Sequence, residues 1–207
     1  MVKQTKEEIA NTLTHFSGVL FAGLASWLLI AKSMGNSWQT LFAIIVFSTS
    51  IFLMYTASTV YHWTLPGKTK RILRYFDHIN IYMFIAASYT PILLCSVGGV
   101  LGWGMFAFLW IIALSGVFYK LFFLGRYPKL SLGIYLAMGW SVIFVGRSVW
   151  ENMPKLALLF ILLEGIFYTV GTYFYSKDEK KPYYHAIWHL FVLAGTVTHC
   201  TAIWMIL

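Results

Sequence analysis

The sequence predicts an all-α fold, a polytopic membrane protein that forms a bundle of seven transmembrane helices. The first observation is composition, because 59% of the 207 residues are hydrophobic and only 11% are charged. A soluble domain carries roughly 25% charged residues, so this chain lacks the polar side chains that cover a water-exposed surface. The second observation is that the apolar residues form segments of about 20, the length that crosses a bilayer as a helix. The third is that the basic residues concentrate beside these segments.

Seven such segments use most of the chain and leave no room for a separate soluble domain. We therefore interpret residues 1–207 as a single domain. The predicted spans are Phe16–Ala31, Gln39–Tyr61, His78–Val97, Leu101–Leu121, Leu130–Val149, Leu156–Tyr175 and Tyr184–Leu207. Pro91 predicts a kink in the third span, because proline removes a hydrogen bond of the helix.

The basic residues predict how the bundle is oriented. Twelve of the 15 Lys and Arg residues fall on one side of the predicted membrane: Lys3, Lys6, Lys68, Lys70, Arg71, Arg74, Lys120, Arg126, Lys129, Lys177, Lys180 and Lys181. The other side has Lys32, Arg147 and Lys155. Because basic residues next to spans stay in the cytoplasm, we expect the N-terminus inside and the C-terminus outside. The net charge of +8 therefore does not indicate a nucleic-acid partner.

Histidines are the most unusual polar residues in these apolar segments. An imidazole without a partner costs several kcal/mol in hydrocarbon, so each one points to a partner. Under the predicted orientation, five of the six lie at the cytoplasmic ends of four helices: His15, His62, His78, His185 and His189. The sixth, His199, lies roughly 21 Å further along the last helix than His185. We expect a buried hydrogen bond between helices there, with a proton or water path as the alternative.

The spacing of these residues favours a metal site. His185 and His189 are four residues apart, so they share one face of a helix, and Ser58 and His62 have the same spacing. Three histidines with an open fourth position are typical of catalytic zinc, and a carboxylate such as Asp77 could hold the bound water or take its proton. The alternative is a cluster of histidines that bond to neighbouring helices or to the membrane interface.

Five segments of the chain resemble those of a known family. They are Glu7–His15 (EEIANTLTH), Ser58–His62 (STVYH), Phe76–Pro91 (FDHINIYMFIAASYTP), Ile134–Trp140 (IYLAMGW) and His185–His199 (HAIWHLFVLAGTVTH). In order, spacing and polarity they resemble the hemolysin III branch of the progestin and adipoQ receptor family. Its members are seven-helix membrane proteins with an inside N-terminus, and the resemblance covers nearly the whole chain.

The resemblance implies a zinc ion near the cytoplasmic face. Its ligands would be His62, His185 and His189, while Asp77 would contact the metal through water and Ser58 would lie in the same site. The resemblance also implies supporting roles for three residues of the first segment, Glu8, Asn11 and His15. We expect His78 and His199 to support the site or a helix interface. Glu164, in the middle of the sixth span, is expected to be hydrogen-bonded or protonated and not catalytic.

The eukaryotic receptors of this family are linked to zinc-dependent hydrolysis of the amide bond in ceramides, and the resemblance therefore implies a mechanism for these residues. Zinc would lower the pKa of its water towards about 7, and Asp77 would act as the general base. The Ser58 hydroxyl would help to polarise the lipid carbonyl. The acyl chain would lie between helices, against residues such as Phe84, Tyr89 and Trp188.

Three functions remain open on these grounds. The first is a zinc-dependent hydrolase of a lipid amide or ester, resembling a ceramidase. The second is a pore-forming cytolysin, as the name of the branch suggests. The third is a lipid-sensing or membrane-homeostasis protein with structural zinc. For all three we expect a membrane lipid as substrate or ligand, no obligate protein partner, and a location in the bacterial plasma membrane.

Overall fold

The computed structural model describes residues 5–207, and within that range every regular element is helical. Eight α-helices follow in chain order: α1 Lys6–Ser33, α2 Trp38–Trp63, α3 Lys68–Pro91, α4 Gly99–Phe123, α5 Pro128–Gly139, α6 Gly146–Asn152, α7 Lys155–Tyr175 and α8 Tyr184–Ile206. A π-helical segment, Ile92–Val97, extends α3, and a 3₁₀ segment, Trp140–Val145, joins α5 to α6. Seven continuous stretches are long and apolar enough to cross a membrane, which confirms the predicted number. Lys3 lies outside the described residues.

Two spans begin about ten residues before the predicted boundaries. Helix α1 begins at Lys6 because the Thr5 hydroxyl accepts the Glu8 amide, at 3.1 Å, and the first turn is acidic. Helix α3 begins at Lys68, so the basic residues assigned to the loop before it lie in its first turns. Asp77, which immediately precedes the predicted start of this span at His78, accordingly lies in the third turn of α3. Hydropathy located the apolar part of each helix and missed the polar turns that precede it.

The third span changes its helical geometry at the predicted position. Helix α3 ends at Pro91 and continues as the π-helical segment, which closes with a 2.8 Å bond from the Gly98 amide to the Leu93 carbonyl. Nearby, the Tyr89 hydroxyl donates to the Gly139 carbonyl and accepts the Val142 amide, at 3.1 Å. These bonds satisfy backbone groups that the irregular stretch after α5 would otherwise leave unpaired in the membrane.

The first span packs closely on its neighbours at Gly18. Helix α1 lies against α2 and α8, and the ring of Tyr55 from α2 fills the space over Gly18. The Tyr55 hydroxyl then donates to Thr196 of α8, at 2.8 Å. Small residues of this kind allow membrane helices to approach one another, so Gly18 brings three helices together below the histidines.

We expect Gly18→Ala to destabilise the protein by about 1–3 kcal/mol, because the added methyl group would overlap the buried Tyr55 ring. Thermal unfolding in detergent would measure the effect. Gly23→Ala is the matched control, since it lies on the same helix and a methyl group there meets no atom within 4 Å. Equal unfolding temperatures for the two variants would contradict the close packing at Gly18.

Candidate metal centre

Three imidazoles from two helices meet at one end of the bundle. His62 lies in the last turn of α2, and His185 and His189 lie in the first two turns of α8. One ring nitrogen from each residue lies within 4.8 Å of the others. His62 and His189 are buried and His185 is half-buried. This histidine cluster, as we call the three residues, could hold a metal ion.

Carboxylates fix the outer ring nitrogens of two cluster members. His62 Nδ1 lies 2.6 Å from Glu8 Oε2, and the other oxygen of Glu8 accepts the Lys70 ammonium at 2.6 Å. His185 Nδ1 lies 2.6 Å from Asp178 Oδ2. Each carboxylate therefore favours the tautomer that carries its proton on Nδ1, and it fixes the orientation of the ring.

Helix α1 supplies the equivalent contact for the third member. His189 Nδ1 lies 3.1 Å from the Thr14 hydroxyl and 3.3 Å from the Asn11 carbonyl. With Nδ1 engaged in this way, the Nε2 atom carries the lone pair. The Nε2 atoms of His185 and His189 are buried and accept no hydrogen bond from any described residue. Metal-binding histidines have this arrangement, since one nitrogen binds the ion and the other is held by an oxygen.

His15 covers the cluster without belonging to it. Its ring stacks on His189, with centroids 3.5 Å apart, and meets Tyr55 edge-on at 5.1 Å. The side chain is only 2% exposed. Together with Glu8 and Asn11, it completes the three supporting residues of the first segment, all of which the structure brings to the cluster.

Ser58 and Asp77 occupy different positions relative to the cluster. Ser58 is buried one turn before His62 on α2, so both side chains lie on the same helix face. Asp77 is half-buried, and its carboxylate forms no hydrogen bond or ion pair with any of residues 5–207. It lines the large cavity beside the cluster, as His15 does. The carboxylate is therefore available to a ligand in that cavity.

The cavity has a volume of about 280 Å³ and lies between α3, α5, α7 and α8. Its walls are mostly apolar, and they include the three residues predicted to line an acyl chain, Phe84, Tyr89 and Trp188. Cavities of this kind, apolar with a few placed polar groups, are typical ligand sites. The shape and lining suit the hydrocarbon chain of a lipid.

Two of the six histidines lie away from the cluster. The backbone carbonyl of His78 accepts the Tyr135 hydroxyl, at 3.3 Å, which places His78 at the interface between α3 and α5. His199 Nδ1 lies 2.7 Å from Glu164 Oε2. This is the expected buried hydrogen bond between helices, and it joins α8 to α7.

Sequence reasoning missed Asp178, Thr14 and Lys70. Asp178 lies in the loop before α8, where the basic residues drew attention because they bear on orientation. Its position two turns before the HxxxH pair is the signal that could have identified it. Thr14 precedes His15 in the first segment, and Lys70 follows the end of α2. Both contacts depend on helix packing, which spacing along the chain does not reveal.

We expect Glu8→Gln to weaken metal binding roughly 10–100-fold, because a neutral amide holds His62 less firmly than a carboxylate does. Isothermal titration of the metal-free protein with zinc would measure the change. Glu7→Gln is the matched control, since Glu7 is exposed and bonds the Tyr183 amide instead of a cluster histidine. Equal zinc affinities for the two variants would contradict the role of Glu8.

Comparison with known proteins gives a consistent result along the whole chain. The family described as Haemolysin-III related matches residues 3–200. The chain is 40% identical to the Hemolysin-3 homolog of Bacillus subtilis (strain 168), over 92% of this chain and 90% of that protein. It is 39% identical to Hemolysin-3 of Bacillus cereus, over 95% and 90%. It is also 33% identical to the human Monocyte to macrophage differentiation factor, over 96% and 83%.

Proposed function

Because the chain belongs to the haemolysin-III-related family, the hemolysin III branch of the progestin and adipoQ receptors, we propose that it is a metal-dependent hydrolase of membrane lipids. Its seven apolar helices and its Bacillus relatives make it a multi-pass protein of the bacterial plasma membrane. One observation carries the proposal. His15, which stacks on His189 of the histidine cluster, lines an apolar cavity that Asp77 also lines.

Zinc is the ion that this donor set favours. Three imidazoles with an open position are the ligand pattern of catalytic zinc, and carboxylates behind two of the rings strengthen them as ligands. Magnesium and calcium would require oxygen ligands instead. When bound to the three histidines, zinc would polarise an acyl carbonyl and make a water molecule more acidic.

The remaining steps belong to side chains of the protein. The Asp77 carboxylate would orient the attacking water and accept its proton, as a general base. The Ser58 hydroxyl would donate a hydrogen bond to the carbonyl oxygen, where negative charge develops. Phe84 and Trp188 would hold the acyl chain in the cavity. The substrate is thus a lipid amide or ester, and ceramide-like amides are the first to test.

We propose that the cluster end of the bundle faces the cytoplasm. Most of the basic residues lie at this end, and positive charge beside spans favours the cytoplasmic side. The N-terminus of α1 would be inside and the C-terminus of α8 outside. Substrate would then be cleaved at the inner leaflet.

Turnover of labelled lipids tests the hydrolase directly. Purified protein in liposomes would be incubated with fluorescent acyl amides and acyl esters, before and after removal of metal by a chelator. We expect release of free fatty acid that stops on chelation and returns with added zinc. Hydrolysis that continues without metal would refute a metal-dependent reaction.

The names of the two Bacillus relatives favour lysis as a second candidate function. A pore would make vesicles leak without cleaving their lipids. Dye release from vesicles with His185→Ala/His189→Ala separates the two functions. Leakage that survives this double substitution points to a pore, whereas leakage lost together with hydrolysis points to lipid damage. Lipid binding without either activity would favour the sensor.

A further inference from the structure

The cavity contains a second polar site, remote from the histidine cluster. Glu164 of α7 and His199 of α8 both line it. His199 follows His189 by ten residues on the same helix, which separates the two by roughly 15 Å. A hydrocarbon chain that starts near the cluster would therefore pass apolar walls before it meets this pair.

The hydrogen bonds of the pair leave acceptor capacity unused. Glu164 Oε2 is bonded to His199 Nδ1, at 2.7 Å, while Glu164 Oε1 has no hydrogen-bond partner within residues 5–207. The Glu164 side chain keeps 12% of its surface exposed, and that of His199 keeps 1%. His199 Nε2 is buried and also has no partner among the described residues. A carboxylate oxygen left without a hydrogen bond in an apolar cavity carries a large desolvation cost.

Neighbouring polar groups of the cavity do not supply the missing bond. The Tyr89 hydroxyl is engaged with backbone groups after α5, and the Thr169 hydroxyl accepts the Trp140 indole at 3.1 Å. The Tyr168 hydroxyl is engaged with Thr196, at 3.2 Å. Glu164 therefore presents an open acceptor in a region whose other hydroxyls already have partners.

We infer that Glu164 and His199 form a binding point for a hydrogen-bond donor carried on the hydrocarbon chain of the ligand. The ligand class is a lipid whose acyl chain bears a hydroxyl group about 15 Å from its head. With the Nδ1 proton of His199 donated to Oε2, the carboxylate Oε1 and His199 Nε2 are both acceptors, so the site requires a donor. This inference rests on the proposed function, because it assumes that a lipid chain enters the cavity.

Binding of three fatty acids that differ at one end tests the inference. The probes are dodecanoic acid, ω-hydroxydodecanoic acid and ω-methoxydodecanoic acid, titrated by calorimetry into the full-length protein in nanodiscs. We expect the hydroxy acid to bind about tenfold more tightly than either of the others, because only its hydroxyl can donate to Glu164. Three affinities within a factor of two would overturn the inference.

Two variants test whether the preference for the hydroxy acid depends on Glu164 and His199. Glu164→Leu is expected to abolish the advantage of the hydroxy acid while dodecanoic acid still binds. Glu164→Leu/His199→Phe gives the same loss and guards against misfolding, since replacing both partners by apolar groups leaves no unpaired nitrogen. Thr169→Val is the matched control, because it removes a cavity hydroxyl that is already bonded, and it should keep the preference. A preference that persists in the double variant would overturn the inference.

The result of the binding experiment can be interpreted independently of whether the protein hydrolyses lipids. Fatty acids carry no amide or ester bond, so their binding does not depend on turnover. A hydroxyl preference without any hydrolysis would support this site and refute the enzyme. Hydrolysis without a hydroxyl preference would refute this site alone.

Discussion

Purified wild-type protein is expected to carry about one zinc ion per chain, and His185→Ala/His189→Ala to carry none. The double substitution removes two of the three imidazoles and leaves too few ligands for tight binding. Mass spectrometry of the metal in detergent-purified protein would measure the content. Hydrolysis should fall to the uncatalysed rate in the same variant, since the ion supplies the polarisation of the carbonyl.

His78→Ala is the control for this loss. His78 lies at the same end of the bundle, but it contacts α5 and contributes nothing to the cluster. It should retain the full metal content. If folded wild-type protein binds no metal even after zinc is supplied, the three histidines form a hydrogen-bonded network. The pore and the sensor would then become the better proposals.

Asp77→Asn is expected to lower the rate of lipid hydrolysis by roughly 10²–10⁴-fold while the metal content stays unchanged. The asparagine amide cannot accept the proton of the attacking water, and general bases contribute a factor of this size. The carboxylates that hold cluster rings are those of Glu8 and Asp178, so the loss of the Asp77 carboxylate should not loosen the ligands. Parallel measurements of turnover and bound zinc would separate the two effects.

Asp178→Asn is expected to have the opposite effects, with weaker metal binding and an intact general base. Asp178 holds Nδ1 of His185 at 2.6 Å, so we expect weaker metal binding from this change. With saturating zinc, most of the hydrolytic rate should return, because the general base is intact. If Asp77→Asn changes neither metal content nor hydrolysis, the assignment of Asp77 as the base is wrong.

The sequence predicted the membrane spans well because few backbone structures are stable in a bilayer. Backbone groups in hydrocarbon must bond within a helix, so each long apolar segment had to be helical. The ends of those helices were less predictable. Thr5 caps α1 eleven residues before the predicted span begins at Phe16, and α3 starts at Lys68 among basic residues. These polar turns are stabilised by caps and charges that hydropathy does not measure.

In the candidate site, too, the sequence predicted some features and only the structure revealed others. The four-residue spacing of His185 and His189 predicts a shared face from helix geometry alone. The partners of their outer nitrogens come from other parts of the chain. Asp178 lies in a loop and Thr14 lies on α1, so only packing reveals them. The pairing of Glu164 with His199 joins two helices whose rotation about their axes could not be derived from sequence.

The origin of the cluster from opposite ends of the chain affects when it can form in the cell. His62 and Glu8 belong to the first two helices, whereas His185 and His189 belong to α8, the last one described. Ribosomes add about 5–20 residues per second, so the early helices emerge several seconds before the last. During that interval His62 and Glu8 have both been made, but His185 and His189 have not. Metal uptake would therefore mark chains in which α8 has inserted and docked, and it would stabilise them over chains in which α8 has not.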